Sequence, residues 1–583
     1  MTQWNNPLAA AVRGAHPIAA AIADGIVADR HIAGASLLMD LAHGVEAAVR
    51  SGDEWLLVAL ALASPEGEHS CLDLRDMVRH VSEGLESETA SRLRLGLDHW
   101  TTVAAGMTAL VGRPDSADSM PMVLDGDRLY LSRMHVDECF VAEDLLRRGE
   151  RVSVLLGGPG SGKTTKTAAD LLTLLGDVPE GFSVGLAAPT GKAAMRMRTV
   201  LVERVLSEAG SAALDAEKMA RAERILGATE SLTVHRLLGY SRHREHGRYK
   251  FDESRKLPYD LVIVDECSML SLEMLTNLLR AVRADARLWI VGDPDQLASV
   301  GAGTVLADVR SAASVSPRVS DRMTVLQELR RFKNDAVRDL VESVRDSASN
   351  GGSDVDAAAE RFFDLLSSGS PFVRWIDPTT DAAAIEHIIA GRIADARELA
   401  RLAQADAAED AVAQHLSKPR TQVLCVHRAG RLGVSGINQR VRSALGAAAN
   451  GLWYPGRPVM VTRNDPRTGI FNGDTGVVAR RADGSSVVVL SDPIGRPPVP
   501  VSRIDHHELA YAMTVHKSQG SEYGHVVAVM PTEPSGLCTR EMLYTAISRT
   551  VEELTLVATR AVLEHMLRTP ISRATGLADR FGG

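Results

Sequence analysis

The sequence predicts an α/β protein built on mainly parallel sheets, and three observations predict it. Short apolar runs recur through the middle of the chain, VSVLL (152–156), VGLAAPT (184–190), LVIVDE (261–266) and LWIVGD (288–293), each closing in a Gly or polar turn before a helical stretch. A glycine-rich loop follows the first of them directly. A second strand-and-helix series then resumes at TQVLCVHR (421–428). At about 150 residues per domain, 583 residues make room for about four domains.

Taken in order, residues 5–113 carry Ala and Leu at three- and four-residue spacing (AAAIADGIVADR, SLLMDLAHGVEAAV, LLVALALAS), broken at Pro65-Glu66-Gly67, which predicts a helical N-terminal domain over 1–120. A linker at Arg113–Ser116 precedes the run LDGDRLYLSRM, which opens the first α/β domain, 121–312. The second α/β domain is expected over 313–445 and 509–583. Its segment 345–416, rich in Ala, Asp, Glu, Ser and Gly, reads as exposed helix with a flexible acidic joint near Asn350-Gly351-Gly352. Between the two halves, GRPVMVTRND, FNGDTGVVARRADGSSVVVLSD and RPPVPVS read as short strands with turn signals, which predicts a small β-barrel inserted at 446–508.

Composition narrows the function classes. Hydrophobic residues make up 45% and charged residues 24%, and no apolar run approaches the roughly 18 residues that span a bilayer. The first 25 residues lack the basic segment and apolar block of a secretory signal, so a soluble, cytoplasmic protein is expected. Cys71, Cys139, Cys267, Cys425 and Cys538 stand at no metal-ligand or redox spacing and are expected as reduced thiols. With a net charge of −9, any nucleic-acid site must be a local basic groove.

The chemistry begins at Gly157-Gly158-Pro159-Gly160-Ser161-Gly162-Lys163-Thr164, which fits GxxxxGK[ST] between a β-type run and the helical TKTAADLLTLL, and is followed by Thr165. Glycines let backbone N–H groups curl around a phosphate, Lys163 reaches the β/γ oxygens and the Thr164 hydroxyl can ligate Mg²⁺. About a hundred residues on, the LVIV strand ends in Asp265 and Glu266, suited to hold Mg²⁺ and to polarise the attacking water. Loop and carboxylates together define a nucleotide hydrolase but leave motor ATPase, kinase and GTPase open. GDPDQL then places Gln296 at a third strand tip, where it can sense a γ-phosphate, and Arg331 and Arg549 are suited to cross an inter-domain cleft and neutralise charge in the transition state.

In order along 151–560, GGPGSGKTT, APTGKAA (188–194), TVHRLLG (233–239), IVDECSML, GDPDQL, LRRF, TVHKSQGSE (514–522) and LYTAISR resemble the motif series of superfamily 1 DNA helicases. GVSGIN (433–438), FNGDTG (471–476), LALASPEGEHSCLDL (60–74) and GDRLYLSRM (126–134) are similar to the RecD family, the alpha subunits of RecBCD helicase-nucleases (exodeoxyribonuclease V). The resemblance implies two RecA-like domains, an SH3-like character for the inserted barrel, and an ATP- and Mg²⁺-dependent motor moving 5′ to 3′ on a DNA strand. It further implies work on single-stranded and duplex-end DNA in a heterotrimer with RecB-like and RecC-like chains, in double-strand break repair and recombination, with the N-terminal domain as docking surface.

Residue by residue, the resemblance makes Lys163 and Thr164 the phosphate and Mg²⁺ ligands, Asp265 and Glu266 the holders of metal and water, Gln296 the coupling residue and Arg331 and Arg549 the arginine fingers. It sets Gly520 and Glu522 near the γ-phosphate and ribose, and Thr190, His235, Thr514 and His516 on DNA phosphates. The basic stretch 242–250 with Arg255-Lys256 stands where this branch carries a duplex-splitting hairpin, expected here over 240–258. Two departures stand out: the helix before the phosphate loop (FVAEDLLRRGERV) has no Gln of the kind that reads adenine, and no acidic cluster resembles the complex's nuclease site. A stand-alone RecD-like helicase and a non-catalytic assembly subunit are the alternative readings.

Overall fold

The computed structural model describes residues 27–43, 52–77, 88–208, 216–241, 249–347, 355–405, 407–465, 468–491 and 496–582. The first 26 residues of the expected helical domain, residues 242–248 of the expected hairpin and the expected joint at 350–352 lie outside the described residues. Among the described residues no helix is long and apolar enough to cross a membrane.

The N-terminal unit has helices Asp29–His43, Gly52–Ala63, Glu88–Leu93 and Leu97–Gly106. Helix Gly52–Ala63 is apolar nearly all round, and its central residues from Trp55 to Leu60 are all buried, as such a helix requires. Beside the helices stands a sheet that helical periodicity did not announce: β1 (Cys71–Asp73), β2 (Val111–Gly112), β3 (Met122–Asp125) and β4 (Arg128–Leu131), in the order β1-β4-β3-β2. β3 and β4 join through the two-residue turn Gly126-Asp127, where Gly126 takes φ +61°, the left-handed conformation such hairpins need. Met122 and Leu129 share one core with Trp100, Leu56 and Leu72. The expected boundary at 120 is therefore corrected: it cuts a sheet whose β2–β3 pairing spans it, and the unit runs to Leu131.

Helix Ser132–Arg148 leads into the first α/β unit. Its strands β5 (Val152–Gly157), β6 (Val184–Ala188), β7 (Ser231–Thr233), β8 (Leu261–Val264), β9 (Arg287–Gly292) and β10 (Met323–Leu326) are all parallel, in the order β10-β5-β9-β8-β6-β7. β10 corrects the expected division at 312, because Met323 pairs with Val154 and Leu326 with Gly157. Where a duplex-splitting hairpin was expected, the described residues 250–258 hold bends and irregular backbone and no strand.

The second α/β unit holds β11 (Val373–Ile376) and β12 (Thr421–Cys425), then the insertion, then β18 (Ala512–Thr514), β19 (Tyr523–Val529) and β20 (Thr550–Val557), all parallel in the order β11-β20-β19-β12-β18. The insertion is a five-stranded antiparallel sheet of β13 (Pro458–Val461), β14 (Thr475–Arg480), β15 (Ser486–Leu490), β16 (Val499–Pro500) and β17 (His507–Leu509), in the order β16-β15-β14-β13-β17. Its residues Val459, Val478, Val488 and Ile504 form a small core of their own.

The last residues do not stay with the second unit, a further correction to the expected span 509–583. Arg573 donates to the carbonyls of Ser299, Gly301 and Gly303 at 2.8–3.0 Å and pairs with Glu68. Glu138, fully buried on helix Ser132–Arg148, accepts from Ser70 Oγ (2.5 Å), Tyr130 OH (3.1 Å), Thr575 Oγ1 (3.0 Å), Gly576 N–H (3.2 Å) and Arg580 Nε (3.2 Å). This carboxylate ties the N-terminal unit, the first α/β unit and the chain end together. Glu138→Ala removes the acceptor that these five donors share, and a loss of about 3 kcal/mol is expected in denaturant unfolding, with early proteolysis near residue 570. An unchanged midpoint would contradict that role.

Candidate nucleotide-binding cleft

β5 is buried except at Ser153 and delivers the chain at Gly157 into the phosphate loop, which runs straight into helix Lys163–Asp177. Gly160 (φ +73°) and Gly162 (φ +89°) take left-handed conformations, and a Cβ on Gly160 would lie 2.0 Å from Cβ of Arg331. Glycine is thus needed at Gly160 for both backbone and space. Lys163 Nζ donates to the carbonyls of Gly157 (2.6 Å) and Gly158 (2.9 Å), folded over its own loop at a helix N-terminus suited to anions. Ser161 Oγ is buried without a hydrogen-bond partner among the described residues.

β8, buried at every residue, ends at Asp265 and Glu266. Glu266 adopts φ +54°, ψ 38°, a left-handed backbone that costs a residue with a Cβ roughly 1–2 kcal/mol and that fixes where its carboxylate leaves the strand. Asp265 Oδ1 accepts the Glu266 N–H at 2.8 Å. Burial and the adjoining Glu266 push the Asp265 carboxyl above its usual range, while Lys163 pulls it back. β9 ends at Asp293, fully buried, whose Oδ2 accepts Gln296 Nε2 (2.8 Å), leaving Gln296 Oε1 buried without a partner.

The second unit closes the cleft. Gly520 and Glu522 come from the turn before β19, and Arg549 from the residue before β20. Arg331, on the loop after β10, pairs with Glu522 at 2.5 Å and donates to the Ser548 carbonyl. Burial opposes the charge on Glu522, but Arg331, Arg196 and Arg549 outweigh it and hold the carboxyl down to about 2. Arg549, 3% exposed, rests against the Thr545 carbonyl at 3.2 Å. The cleft encloses about 310 Å³. Pro159, Gly160, Gly162, Lys163, Thr164 and Thr165 line it on one side, Asp265, Glu266 and Gln296 at its base, and Arg331, Gly520, Glu522 and Arg549 on the other.

Gly157, Gly158 and Ser161 belong to the same loop but not to the cleft lining. Thr190, His235, Thr514 and His516 are likewise not brought into it. They stand at or just past the C-terminal ends of β6, β7 and β18. Thr190 Oγ1 accepts the Ala193 N–H (3.2 Å), His235 is exposed with its ring 5.4 Å from that of Tyr240, and Thr514 is buried.

Several residues that sequence reasoning missed complete the site. Arg196 lines the cleft, pairs with Glu522 and donates to Gly520 O (3.4 Å); it stands one helical turn past Lys192 of the APTGKAA motif, a spacing that could have flagged it. Tyr544 OH donates to Asp293 Oδ2 (3.2 Å), Thr545 Oγ1 accepts the Leu297 N–H (2.9 Å), and Gln519 Nε2 reaches Leu297 O (3.3 Å). The tip of β9 is thereby held by both units. Tyr544→Phe removes a buried donor worth about 1–2 kcal/mol, so kcat for nucleotide hydrolysis is expected to fall roughly 10-fold with KM little changed. Steady-state kinetics with KM rising and kcat intact would contradict this.

A phosphate loop, a strand-end acid pair and arginines presented across a gap by a second parallel α/β unit define a nucleotide-hydrolysing motor of the two-unit kind. The family models agree segment by segment: an AAA domain matches residues 145–302, a UvrD-like helicase C-terminal domain 509–557, and the N-terminal domain of RecBCD enzyme subunit RecD 35–130. The chain is 34% identical to the RecBCD enzyme subunit RecD of Mycolicibacterium smegmatis, covering 90% of this chain and 93% of that one. It is 35% identical to the same subunit of Mycobacterium tuberculosis, over 90% of this chain and 91% of the other. The ATP-dependent RecD2 DNA helicase of Deinococcus radiodurans is 32% identical over 69% of this chain and 46% of its own length. The chain belongs to the RecD family and is an ATP-dependent DNA helicase.

Proposed function

We propose that this chain is the 5′-to-3′ motor of a RecBCD-type helicase-nuclease, assembled with RecB-like and RecC-like subunits in the cytoplasm and working on single-stranded and duplex-end DNA in double-strand break repair. The observation that carries the motor reading is the convergence on one cleft of Lys163 from the phosphate loop, the strand-end acids Asp265 and Glu266, and Arg331 and Arg549 opposite them. Phosphate oxygens accept from all three cations together, and charge-assisted hydrogen bonds of this kind are the strong ones.

Within this reading Lys163 and the loop N–H groups hold the β/γ-phosphates, and Glu266 takes the proton of the attacking water. The Asp265 carboxylate and the Thr164 hydroxyl are hard oxygen donors lining the same cleft and would hold Mg²⁺, which when bound would supply charge neutralisation on the phosphate oxygens. Arg331 and Arg549 stabilise transition-state charge, and Gln296 passes the state of the nucleotide to the contacts of Leu297 with Thr545 and Gln519. Thr190, His235, Thr514 and His516 position a DNA strand along these strand ends, through phosphate contacts that carry no sequence information. The two parallel units serve as the RecA-like pair, and the five-stranded insertion as an SH3-like barrel. Phe471 of that insertion packs on Gly191 beside Thr190, which supports its placement next to the proposed DNA track.

Strand displacement tests the reading. With ATP and Mg²⁺, the chain in complex with its partner subunits is expected to open a duplex carrying a 5′ single-stranded tail, and a Lys163→Ala chain in the same complex to lose that activity. Opening of 5′-tailed duplexes unaffected by Lys163→Ala would overturn it.

A further inference from the structure

Where the inserted sheet meets the second α/β unit lies another cavity, of about 220 Å³, bordered by Tyr523. Its wall gathers four basic side chains, Arg392, His415, Lys418 and Arg420, against a single carboxylate, Asp395. The convergence is not visible in sequence, because Arg392 comes from helix Ala382–Leu402, His415 from helix Ala408–Leu416 and Arg420 from the residue before β12. Gly524 permits it: a Cβ there would lie 2.5 Å from Cβ of Pro419, the residue that turns Arg420 inward. Basic groups at a helix C-terminus are ordinary, since they favour its dipole. What is not ordinary is how little compensates them, one carboxylate among four basic groups.

Arg420 donates to the Ser491 hydroxyl (2.6 Å) and makes no ion pair among the described residues. Arg392 shares Asp395 (2.9 Å) and the Thr421 carbonyl (2.9 Å) through Nη1, while its Nε is buried with no acceptor. Burial acts against the charge on both guanidinium groups and lowers each below its usual range. The floor is apolar, with Leu399, Leu416 and Met513, so water compensates these cations poorly. Guanidinium forks out of water, short of acceptors and facing a shared void, are matched to a tetrahedral oxyanion.

We infer that this cavity is a phosphate-binding site, with Arg420 and Arg392 as the fork and the exposed Lys418 beside them. Tyr523, which lines it, directly follows Glu522, which lines the nucleotide cleft, so one short stretch of chain borders both. The inference does not depend on the proposed direction of movement or on the partner subunits. The phosphate could be free in solution or belong to a DNA backbone, and the test separates the two.

The probe is inorganic phosphate, titrated calorimetrically into the full chain. Lys163→Ala serves as background, so that the nucleotide cleft contributes little of the signal. One bound phosphate is expected, with affinity falling roughly 10-fold on Arg420→Gln and roughly 3-fold on Lys418→Gln, an exposed position whose substitution spares the fold. In parallel, oligonucleotide binding is measured against salt. If the DNA backbone supplies the phosphate, Arg420→Gln reduces the slope of log affinity against log salt by about 1; if the phosphate is free, the slope holds and only the calorimetric signal falls. Either result supports the site. Phosphate affinity and salt slope both unchanged in Arg420→Gln and Lys418→Gln would overturn it. Should Arg420→Gln fail to fold, Lys418→Gln and Arg420→Lys decide by the same readings.

Discussion

Arg549→Ala is expected to slow ATP hydrolysis by roughly 10³-fold or more while leaving ATP binding within a few-fold of the native value, the range seen when an arginine that meets transition-state charge is removed. The reasoning starts from where Arg549 stands. It is buried in the wall of the cleft, and although its charge acts on Glu522 its hydrogen bonds go to the backbone carbonyls of Thr545 and Ser521 and not to a carboxylate, so a phosphate can take the fork. Arg331→Ala is expected to be nearly as severe in rate, but it also strips Glu522 of a partner and leaves it to Arg196 of the first unit. Arg549→Lys restores little, because a point charge on a flexible stem does not reproduce the planar fork. Single-turnover hydrolysis beside fluorescent-nucleotide binding separates the two effects. Equal losses in binding and turnover would show that Arg549 serves the ground state.

Glu266→Gln is expected to abolish turnover by a comparable factor, about 10²–10⁴, while ATP affinity is kept or improved. The amide is nearly the same size and preserves the left-handed backbone at this position, but it cannot take a proton from water. It also relieves the mutual repulsion with Asp265, which contributes to pushing that carboxyl up. A variant that binds ATP and does not hydrolyse it is therefore expected, and its DNA complex should be long-lived. Loss of ATP binding together with turnover would mean that Glu266 holds the nucleotide instead.

The chemistry of this chain was legible where it is written in consecutive residues. A loop that must curl around phosphate needs glycines at fixed places, and Gly160 and Gly162 take the left-handed conformations that this demands. The acid pair at the end of LVIV and the amide after GDP fall at strand tips for the same reason. Pairings between distant segments were not legible. β2 joins β3 across the expected boundary at 120, and β10 joins β5 from 169 residues further along, so boundaries drawn from periodicity fell inside sheets. Glu138 reads in sequence as one more charge on an amphipathic helix. Its burial comes from Thr575 and Arg580, more than 400 positions away. Arg196 and Tyr544 escaped for the same reason, since each acquires its role only from the opposite unit.

The most direct measurement is ATP hydrolysis by the purified chain with and without single-stranded DNA, alone and with its partner subunits, beside Lys163→Ala. Hydrolysis stimulated by DNA and lost in the variant is the expected result, whether it appears in the isolated chain or only in the complex. The latter would favour an obligate subunit over a stand-alone helicase. Complex activity undiminished by Lys163→Ala, or no DNA-stimulated hydrolysis in any setting, would contradict the reading of this cleft as a DNA-driven motor.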